Sequence, residues 1–172
     1  MPTLILDPQP PEVAALIARR QRLDLDRADE VWEGVYHMNP APHGRHAFIA
    51  QQLAVLFDQP ARAARLTGLS GGFNLGVAND YRIPDFGLCR PGPHELYYAT
   101  AALALEIVSA GDESWQKLPF YAAHHVDELV IVDPQERSIR WLGLDGGAYH
   151  DVERSALIDL GPGELAARID WS

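Results

Sequence analysis

The sequence is poor in cysteine and has no long apolar run, and each absence excludes a class of protein. Its single cysteine, Cys89, excludes an internal disulfide framework and a zinc site built from several cysteines. No run of about 18 apolar residues occurs, so no membrane span is predicted. The N-terminal residues lack the basic region and the long apolar stretch of a signal peptide. We therefore expect a cytoplasmic protein.

Positive charge is also scarce, and lysine especially so. Lysine and arginine together number 14, against 24 aspartate and glutamate residues, and the formal net charge is −10. Lys117 is the one lysine in the chain. A protein that binds nucleic acid mainly through phosphate contacts carries basic patches. Any nucleic-acid site in this chain must therefore be local.

The composition that remains is that of an ordinary globular domain. Hydrophobic residues make up 47% and charged residues 22% of the 172 residues. Apolar residues at helical spacing predict helices over residues 12–23 and 44–57, the second followed by a break or kink at Pro60. A third helix is expected over residues 113–125.

Two apolar runs predict buried strands, at residues 103–108 (LALEIV) and 129–132 (LVIV). Glu33-Gly34 and Asp145-Gly146-Gly147 are typical of turns between strands. Because helices and strands interleave along the chain, we expect an α/β or α+β fold with a mixed central sheet.

The domain organisation follows from the same pattern. Residues 1–27 would form an N-terminal helical extension, and residues 28–172 would form a single domain. No internal repeat, low-complexity tract or linker interrupts that range.

Two acids occupy positions where a charge is costly. Asp85 follows Pro84 at the start of a predicted strand, and Glu106 lies inside the apolar run LALEIV. A carboxylate in such a strand must be paired, hydrogen-bonded or bound to a cation. If the two strands are neighbours, the carboxylates converge and repel each other unless a cation lies between them. Magnesium favours such an oxygen-rich site.

Lys117 completes the constellation, since it follows the Glu106 strand on the next predicted helix. There it could hold or deprotonate an attacking water, or neutralise a phosphate oxygen in the transition state. A metal, two carboxylates and a lysine together form a site for phosphodiester hydrolysis.

Each of these residues also has a purely structural interpretation. Asp85 could cap a turn or strand, Glu106 could form a buried salt bridge with an arginine, and Lys117 could be a solvated helix residue. Glu30 could be a helix cap or a surface acid. The three central residues taken together favour a site over these readings.

Three further residues are candidates for the cleft around the site. Tyr121 lies four residues after Lys117, on the same helix face, and could orient it. Ser109 could cap the helix or contact substrate, with no base placed to make it a nucleophile. His46 is a structural, partly buried histidine or lines the cleft. No cysteine or spaced acid completes a zinc site around it.

Several short motifs occur in a fixed order and spacing. They are Pro84-Asp85, Glu106-Ile107-Val108-Ser109, Lys117 with Tyr121, and Val130-Ile131-Val132-Asp133-Pro134, preceded by Glu30-Val31-Trp32-Glu33-Gly34 and the helix carrying His46. In this arrangement the chain resembles the Uma-two family of restriction endonucleases, within the PD-(D/E)XK nuclease superfamily. The resemblance covers roughly residues 28–142, most of the chain.

The resemblance implies a restriction-endonuclease-like fold, a mixed sheet of about four strands flanked by helices. It implies that Asp85 and Glu106 bind magnesium or manganese. The superfamily places a lysine two residues after the glutamate, where this chain has Val108, and Lys117 from the following helix takes that role. Glu30 matches an acid on the first core helix that supports the metal. The resemblance also implies a homodimer.

The function that follows is hydrolysis of DNA phosphodiester bonds by a magnesium-dependent endonuclease. Two alternatives stay open. The acidic balance favours a nuclease-fold module that binds or assembles without cutting. The second alternative is a metal hydrolase of small phosphoesters, whose substrate the negative surface would repel less than it repels DNA.

Overall fold

The structure is a computed structural model, and it describes residues 4–6 (backbone only), 10–40, 42–109, 111 and 113–172. Its elements follow in the order β1 (Leu4–Leu6), α1 (Pro11–Arg22), β2 (Glu30–Trp32), β3 (Val35–Met38), α2 (Gly44–Ala63), β4 (Thr67–Ser70), β5 (Asn74–Val77), β6 (Asp80–Arg82), β7 (Phe86–Cys89), β8 (Tyr97–Tyr98), β9 (Leu103–Ile107), a 3₁₀ helix (Ser114–Lys117), α3 (Leu118–Ala123), β10 (Glu128–Asp133), β11 (Ser138–Asp145), β12 (Ala148–Asp151) and α4 (Pro162–Ala166).

The strands form two six-stranded sheets. The first sheet has the order β1-β3-β2-β6-β5-β8, and the second, which we call the site sheet, has the order β12-β11-β10-β9-β7-β4. Strands β9 and β10 are parallel, whereas the other neighbours in the site sheet are antiparallel. The expected mixed sheet flanked by helices is confirmed, with six strands in the site sheet where the resemblance implied about four.

The site sheet is buried on both faces. Helix α2 covers one face with Ile49, Leu53 and Phe57, which are fully buried and recur every four residues. Helix α3 and part of the first sheet cover the other. Because side chains alternate along a strand, Leu105 faces α2 while Ala104 and Glu106 face α3. Burial on both faces explains why the strand sequences read as continuous apolar runs.

Helix α2 does not break at Pro60 as predicted, but continues to Ala63. Proline costs the helix one hydrogen bond, yet its fixed φ is helical. The chain beyond it stays anchored, since Ala61 is buried and its carbonyl accepts a hydrogen bond of 2.8 Å from the amide of Leu66. Tertiary packing therefore outweighs the local preference for a break.

The helix predicted over residues 113–125 is also wrong in detail. It is a 3₁₀ helix over Ser114–Lys117 followed by the short α3, Leu118–Ala123. Pro119 explains the change. Its ring is accommodated in the first turn of α3, but in a continuous α-helix it would clash with the carbonyl of Trp115.

The two predicted turns are confirmed. Glu33 and Gly34, both with positive φ, join β2 to β3, and Gly146 and Gly147 join β11 to β12 in the same way. Strand β1 pairs with β3, while the proposed boundary after residue 27 stays a prediction. No helix in the described part of the chain is long and apolar enough to cross a membrane.

Candidate active site

Asp85 and Glu106 lie side by side where β7 begins and β9 ends. Phe86 pairs with Leu105 in the antiparallel register of these strands, so the preceding position, Asp85, lies opposite Glu106. Opposite residues of an antiparallel pair project from the same face. Oδ2 of Asp85 accepts a hydrogen bond of 2.7 Å from the amide of Ile107, which ties the carboxylate to the end of β9. The two acids therefore converge.

Glu106 is buried, with 3% of its surface exposed. The ammonium Nζ of Lys117 donates to its Oε1 at 3.1 Å and to its Oε2 at 3.2 Å. The hydroxyl of Tyr121 donates a further hydrogen bond to Oε1. The partner of this buried acid is therefore lysine, not the arginine of the structural interpretation.

Glu30 lies on the opposite side of Lys117, whose Nζ donates to its Oε1 at 2.9 Å. The resemblance placed Glu30 on a helix, and this is wrong, since it is the first residue of strand β2. Oε1 also accepts from the amide of Ile83 at 2.7 Å, and Oε2 from Nε1 of Trp32 at 2.7 Å. Glu30 thus holds Lys117 from the first sheet, while Glu106 holds it from the site sheet.

Lys117 reaches both acids because of its position at the junction of two helices. It ends the 3₁₀ helix and caps α3, so it shares no regular α-helix with Tyr121 as the spacing suggested. Its side chain is buried. Burial alone would lower the pKa of Lys117, but the charges of Glu106 and Glu30 raise it above its usual value. The group is therefore an ammonium ion.

The pKa values of the two neighbours move in the same direction. Burial raises the pKa of Glu106 to about 8, against the attraction of Lys117 and with added repulsion from Asp85 and Glu30. Burial, together with the charges of Glu106, Glu30 and Asp85, raises the pKa of Tyr121 well above its usual value. Tyr121 is therefore a hydrogen-bond donor to Glu106 at neutral pH, never a base.

The acid–lysine cluster, which we define as Asp85, Glu106, Glu30 and Lys117, has unbalanced charge. Three carboxylates and one ammonium group leave a net charge of −2 when all four are ionised. Negative charge confined to a largely buried site is costly unless a cation compensates it. Because the pKa of Glu106 is raised to about 8, a proton compensates part of this charge in the metal-free cluster, and a divalent cation would take the place of that proton.

The donor set fits magnesium in number and kind. Magnesium is commonly held by one or two carboxylates and completes its shell with water and substrate phosphate. Asp85 is one-quarter exposed and lies on the same face as Glu106, which provides such a pair. Over the described ranges, no group of three or more His, Cys, Asp or Glu side chains forms an all-protein metal cage.

His46 contacts Asp85 directly, from the first turn of α2. Its Nε2 lies 2.9 Å from Oδ1 of Asp85, and its Nδ1 lies 3.4 Å from Oγ of Ser109. Since an ionised carboxylate only accepts, Nε2 of His46 donates to Asp85. His46 therefore orients Asp85.

Ser109 has a histidine beside it, His46, where the sequence showed no base placed to activate it. The arrangement nevertheless does not favour a nucleophile. The contact of 3.4 Å is long for a nucleophile and its base. The amides of Ile107 and Val108 donate to Asp85 and to the carbonyl of Val132, so neither can stabilise an oxyanion.

Sequence reasoning missed a stack of rings behind the cluster. The guanidinium of Arg82 lies between the rings of Trp32, at 4.3 Å, and Phe120, at 4.0 Å. Trp32 stacks in turn on His37, with ring centroids 4.3 Å apart. Trp32 also donates to Glu30, so the stack sets the position of that carboxylate. Only Trp32, within the motif that begins at Glu30, gave a signal in the sequence.

A second missed contact fixes the start of the 3₁₀ helix that carries Lys117. Nδ1 of His37, on strand β3, lies 3.0 Å from Oε2 of Glu113, which immediately precedes that helix. No sequence signal could have paired two residues so far apart in the chain. The contact joins the first sheet to the segment that positions Lys117.

A family model matches residues 14–171, almost the whole chain. The chain belongs to the Uma2 family. The description of that family is "Putative restriction endonuclease". This finding confirms the resemblance to the Uma-two family that the motifs indicated.

A solved structure is similar to this Uma2 chain in fold. It is described as the crystal structure of a "putative nuclease" from Anabaena variabilis, with a TM-score of 0.68 and 14% sequence identity. The match covers 83% of this chain and 92% of the other. A search of the curated proteins found no match. At this identity the similarity supports the fold.

Proposed function

We propose that this Uma2 protein is a metal-dependent endonuclease that hydrolyses phosphodiester bonds in DNA. The observation that carries the proposal is the convergence of Asp85, Glu106 and Lys117 at one end of the site sheet, in a cluster of three carboxyl groups and one ammonium group. The family description and the nuclease named in the comparison support the same reaction class.

Asp85 and Glu106 would hold the magnesium or manganese ion. When bound, the cation would polarise the scissile phosphate and lower the pKa of a bound water. Asp85 is oriented for this role by His46 and by the amide of Ile107. Tyr121 fixes Glu106 from the opposite side.

Lys117 would stabilise charge in this reaction and would not act as the base. It donates hydrogen bonds to two carboxylates, contacts that favour the ammonium form. An ammonium group can hold the attacking water and neutralise a developing phosphate oxygen, but it cannot remove a proton. Glu30 would keep Lys117 within reach of the attacking water and of the phosphate oxygen.

A homodimer is part of the proposal. Cleavage of a duplex requires two cuts, which two copies of one site related by a twofold axis would supply. The location of the protein in the cytoplasm stays a prediction.

The test is a nicking assay on plasmid and single-stranded DNA with magnesium, manganese or EDTA. Asp85→Asn and Lys117→Met should abolish cleavage, while Glu128→Gln is a matched control. Glu128 is a second buried acid of the site sheet, and it contacts Trp141, Ser155 and the amide of Ala156 in place of the cluster. Absence of cleavage by the wild type on every DNA substrate would refute the proposal.

A specific observation favours a second candidate, a nuclease-fold module that does not cut. The net charge is −10, and both oxygens of Glu106 already accept hydrogen bonds. Calorimetric titration with magnesium distinguishes the enzyme from the module that does not cut. Heat that disappears in Glu106→Gln supports the enzyme, and no heat supports the inert module. Hydrolysis of bis-p-nitrophenyl phosphate without DNA cleavage would indicate a small-phosphoester hydrolase.

A further inference from the structure

Trp115 is a large aromatic residue left at the surface beside the acid–lysine cluster. It is 45% exposed, although it lies in the same 3₁₀ helix as the buried Ser114 and Lys117. A single exposed aromatic residue is ordinary on a protein surface, so its neighbours decide whether it can bind a ligand.

Arg140 lies beneath this ring. Its guanidinium carbon is 5.2 Å from the centroid of the Trp115 ring, and its side chain is half exposed. The cation covers one face of the indole and holds the ring in place. With Arg140 in place, 45% of Trp115 remains exposed to solvent.

The register of the site sheet relates this pair to Glu106. Ile131 pairs with Glu106 on one side and with Arg140 on the other. The three residues therefore form one row across β9, β10 and β11, all facing α3. Two strand spacings separate Glu106 from Arg140, roughly 10 Å. The 3₁₀ helix lies over this row, with Lys117 at the Glu106 end and Trp115 at the Arg140 end.

The charges around Trp115 favour a base over a phosphate as its ligand. Arg140 makes a bidentate ion pair with Asp151, at 2.9 and 2.6 Å, which cancels its charge. Glu113 adds a negative charge two residues before Trp115. A phosphate would meet no net attraction here, whereas stacking of a base on an aromatic ring needs none.

We propose that Trp115, supported by Arg140, is a stacking platform for one unpaired nucleobase of the DNA strand presented to Asp85 and Lys117. The inference rests on the proposed function and deepens it, since it names single-stranded or locally unpaired DNA as the preferred substrate. Stacking also answers the charge problem of an acidic protein with a single lysine. Affinity that comes from stacking depends little on phosphate contacts and therefore little on salt.

The test measures binding of a fluorescein-labelled single-stranded oligodeoxynucleotide, and of the matching duplex, to the full chain in EDTA. Trp115→Ala should weaken binding of the single strand by about 5- to 150-fold. Trp115→Phe should retain most of the affinity because it keeps a ring. Gln116→Ala, which changes the adjacent exposed residue, should bind as the wild type does. The duplex should bind more weakly than the single strand.

A second readout does not depend on the stability of the alanine variant. Unlabelled single strand should quench the tryptophan fluorescence of the wild type and should lose most of that effect on Trp115→Phe, which leaves the other three tryptophans in place. The loss of affinity in Trp115→Ala should persist between about 50 and 200 mM salt.

The outcomes separate this inference from the proposed function. If the wild type cleaves DNA but Trp115→Ala binds it equally well, the platform is refuted and the nuclease stands. A preference for duplex that Trp115→Ala leaves unchanged refutes the platform too. If the wild type neither binds nor cleaves DNA, both proposals fall.

Discussion

At the scale of single residues, the account depends on how Glu106 and Glu128 differ. Both are acids buried in neighbouring strands of the site sheet, with 3% and 4% of their surface exposed. Glu128 accepts hydrogen bonds from Trp141, Ser155 and the amide of Ala156, all of which are neutral donors. Glu106 contacts the ammonium group of Lys117, and the charges of two further carboxylates raise its pKa. The contacts of Glu128 stabilise the fold, whereas the charged groups around Glu106 form a site that a cation could bind.

The raised pKa of Glu106 predicts how stability changes with pH in metal-free protein. The folded state keeps a proton up to a pKa of about 8, whereas the unfolded chain releases it near its ordinary value. The contribution of Glu106 is therefore fully present below the unfolded pKa and is lost as pH rises through about 8. We expect the free energy of unfolding in EDTA to fall by at most about 1.4 kcal/mol per pH unit in this window.

Urea unfolding of the wild type and two variants checks this expectation. Glu106→Gln should flatten the decline, because glutamine does not titrate, while the matched Glu128→Gln should keep it. An identical pH dependence in the wild type and in Glu106→Gln would contradict the assignment.

Trp32 should act on the reaction through Glu30. Trp32→Phe keeps a ring against Arg82 and His37 but removes the N–H that bonds Oε2 of Glu30. If the proposed nuclease function holds, kcat should fall roughly 10-fold with KM unchanged, since contacts behind the reacting groups carry effects of this size. Steady-state cleavage kinetics measure kcat and KM separately.

Trp171→Phe is the matched control for Trp32→Phe. It also removes an indole N–H, which donates to the carbonyl of Ala166 away from the cluster. Equal losses of kcat in the two variants would mean that Trp32 has only a structural role.

At the scale of elements, the sequence predicted the regular segments better than their ends. The apolar runs gave β9 and β10 to within one residue at each end, whereas the spacing of α2 gave its start but not its last six residues. The effects of two prolines were predicted wrongly, one as a break that does not occur and the other as no break where one occurs. Pro60 does not end α2, because Ala61 beyond it is packed into the core. Pro119 does divide the segment after β9, because its ring excludes an α-helix through Trp115.

Pro60 is therefore a local cost that tertiary packing overrides. Pro60→Ala should restore the missing hydrogen bond of α2 and raise the free energy of unfolding by about 1–2 kcal/mol, after part of the gain is offset by greater freedom of the unfolded chain. Urea unfolding measures the change, with Gln59→Ala as the neighbouring control. A decrease in stability would mean that α2 depends on the proline.

At the scale of the whole molecule, the site exists because two sheets meet at Lys117. Glu30 comes from the first sheet and Glu106 from the site sheet, and their separation along the chain gave no sign that one ammonium group would join them. The sequence did predict that Asp85 and Glu106 converge, because acids in apolar strands need partners. It could not predict the contact of Trp32 with Arg82, between neighbouring strands of the first sheet, or the contact of His37 with Glu113.

The most direct test of the account is a crystal structure of the protein soaked in manganese, with anomalous scattering recorded at the metal edge. The account predicts one strong peak that is about 2.1 Å from carboxylate oxygens of both Asp85 and Glu106, and its loss in Asp85→Asn. A map with no peak there, and with Lys117 still in contact with Glu106, would contradict the account.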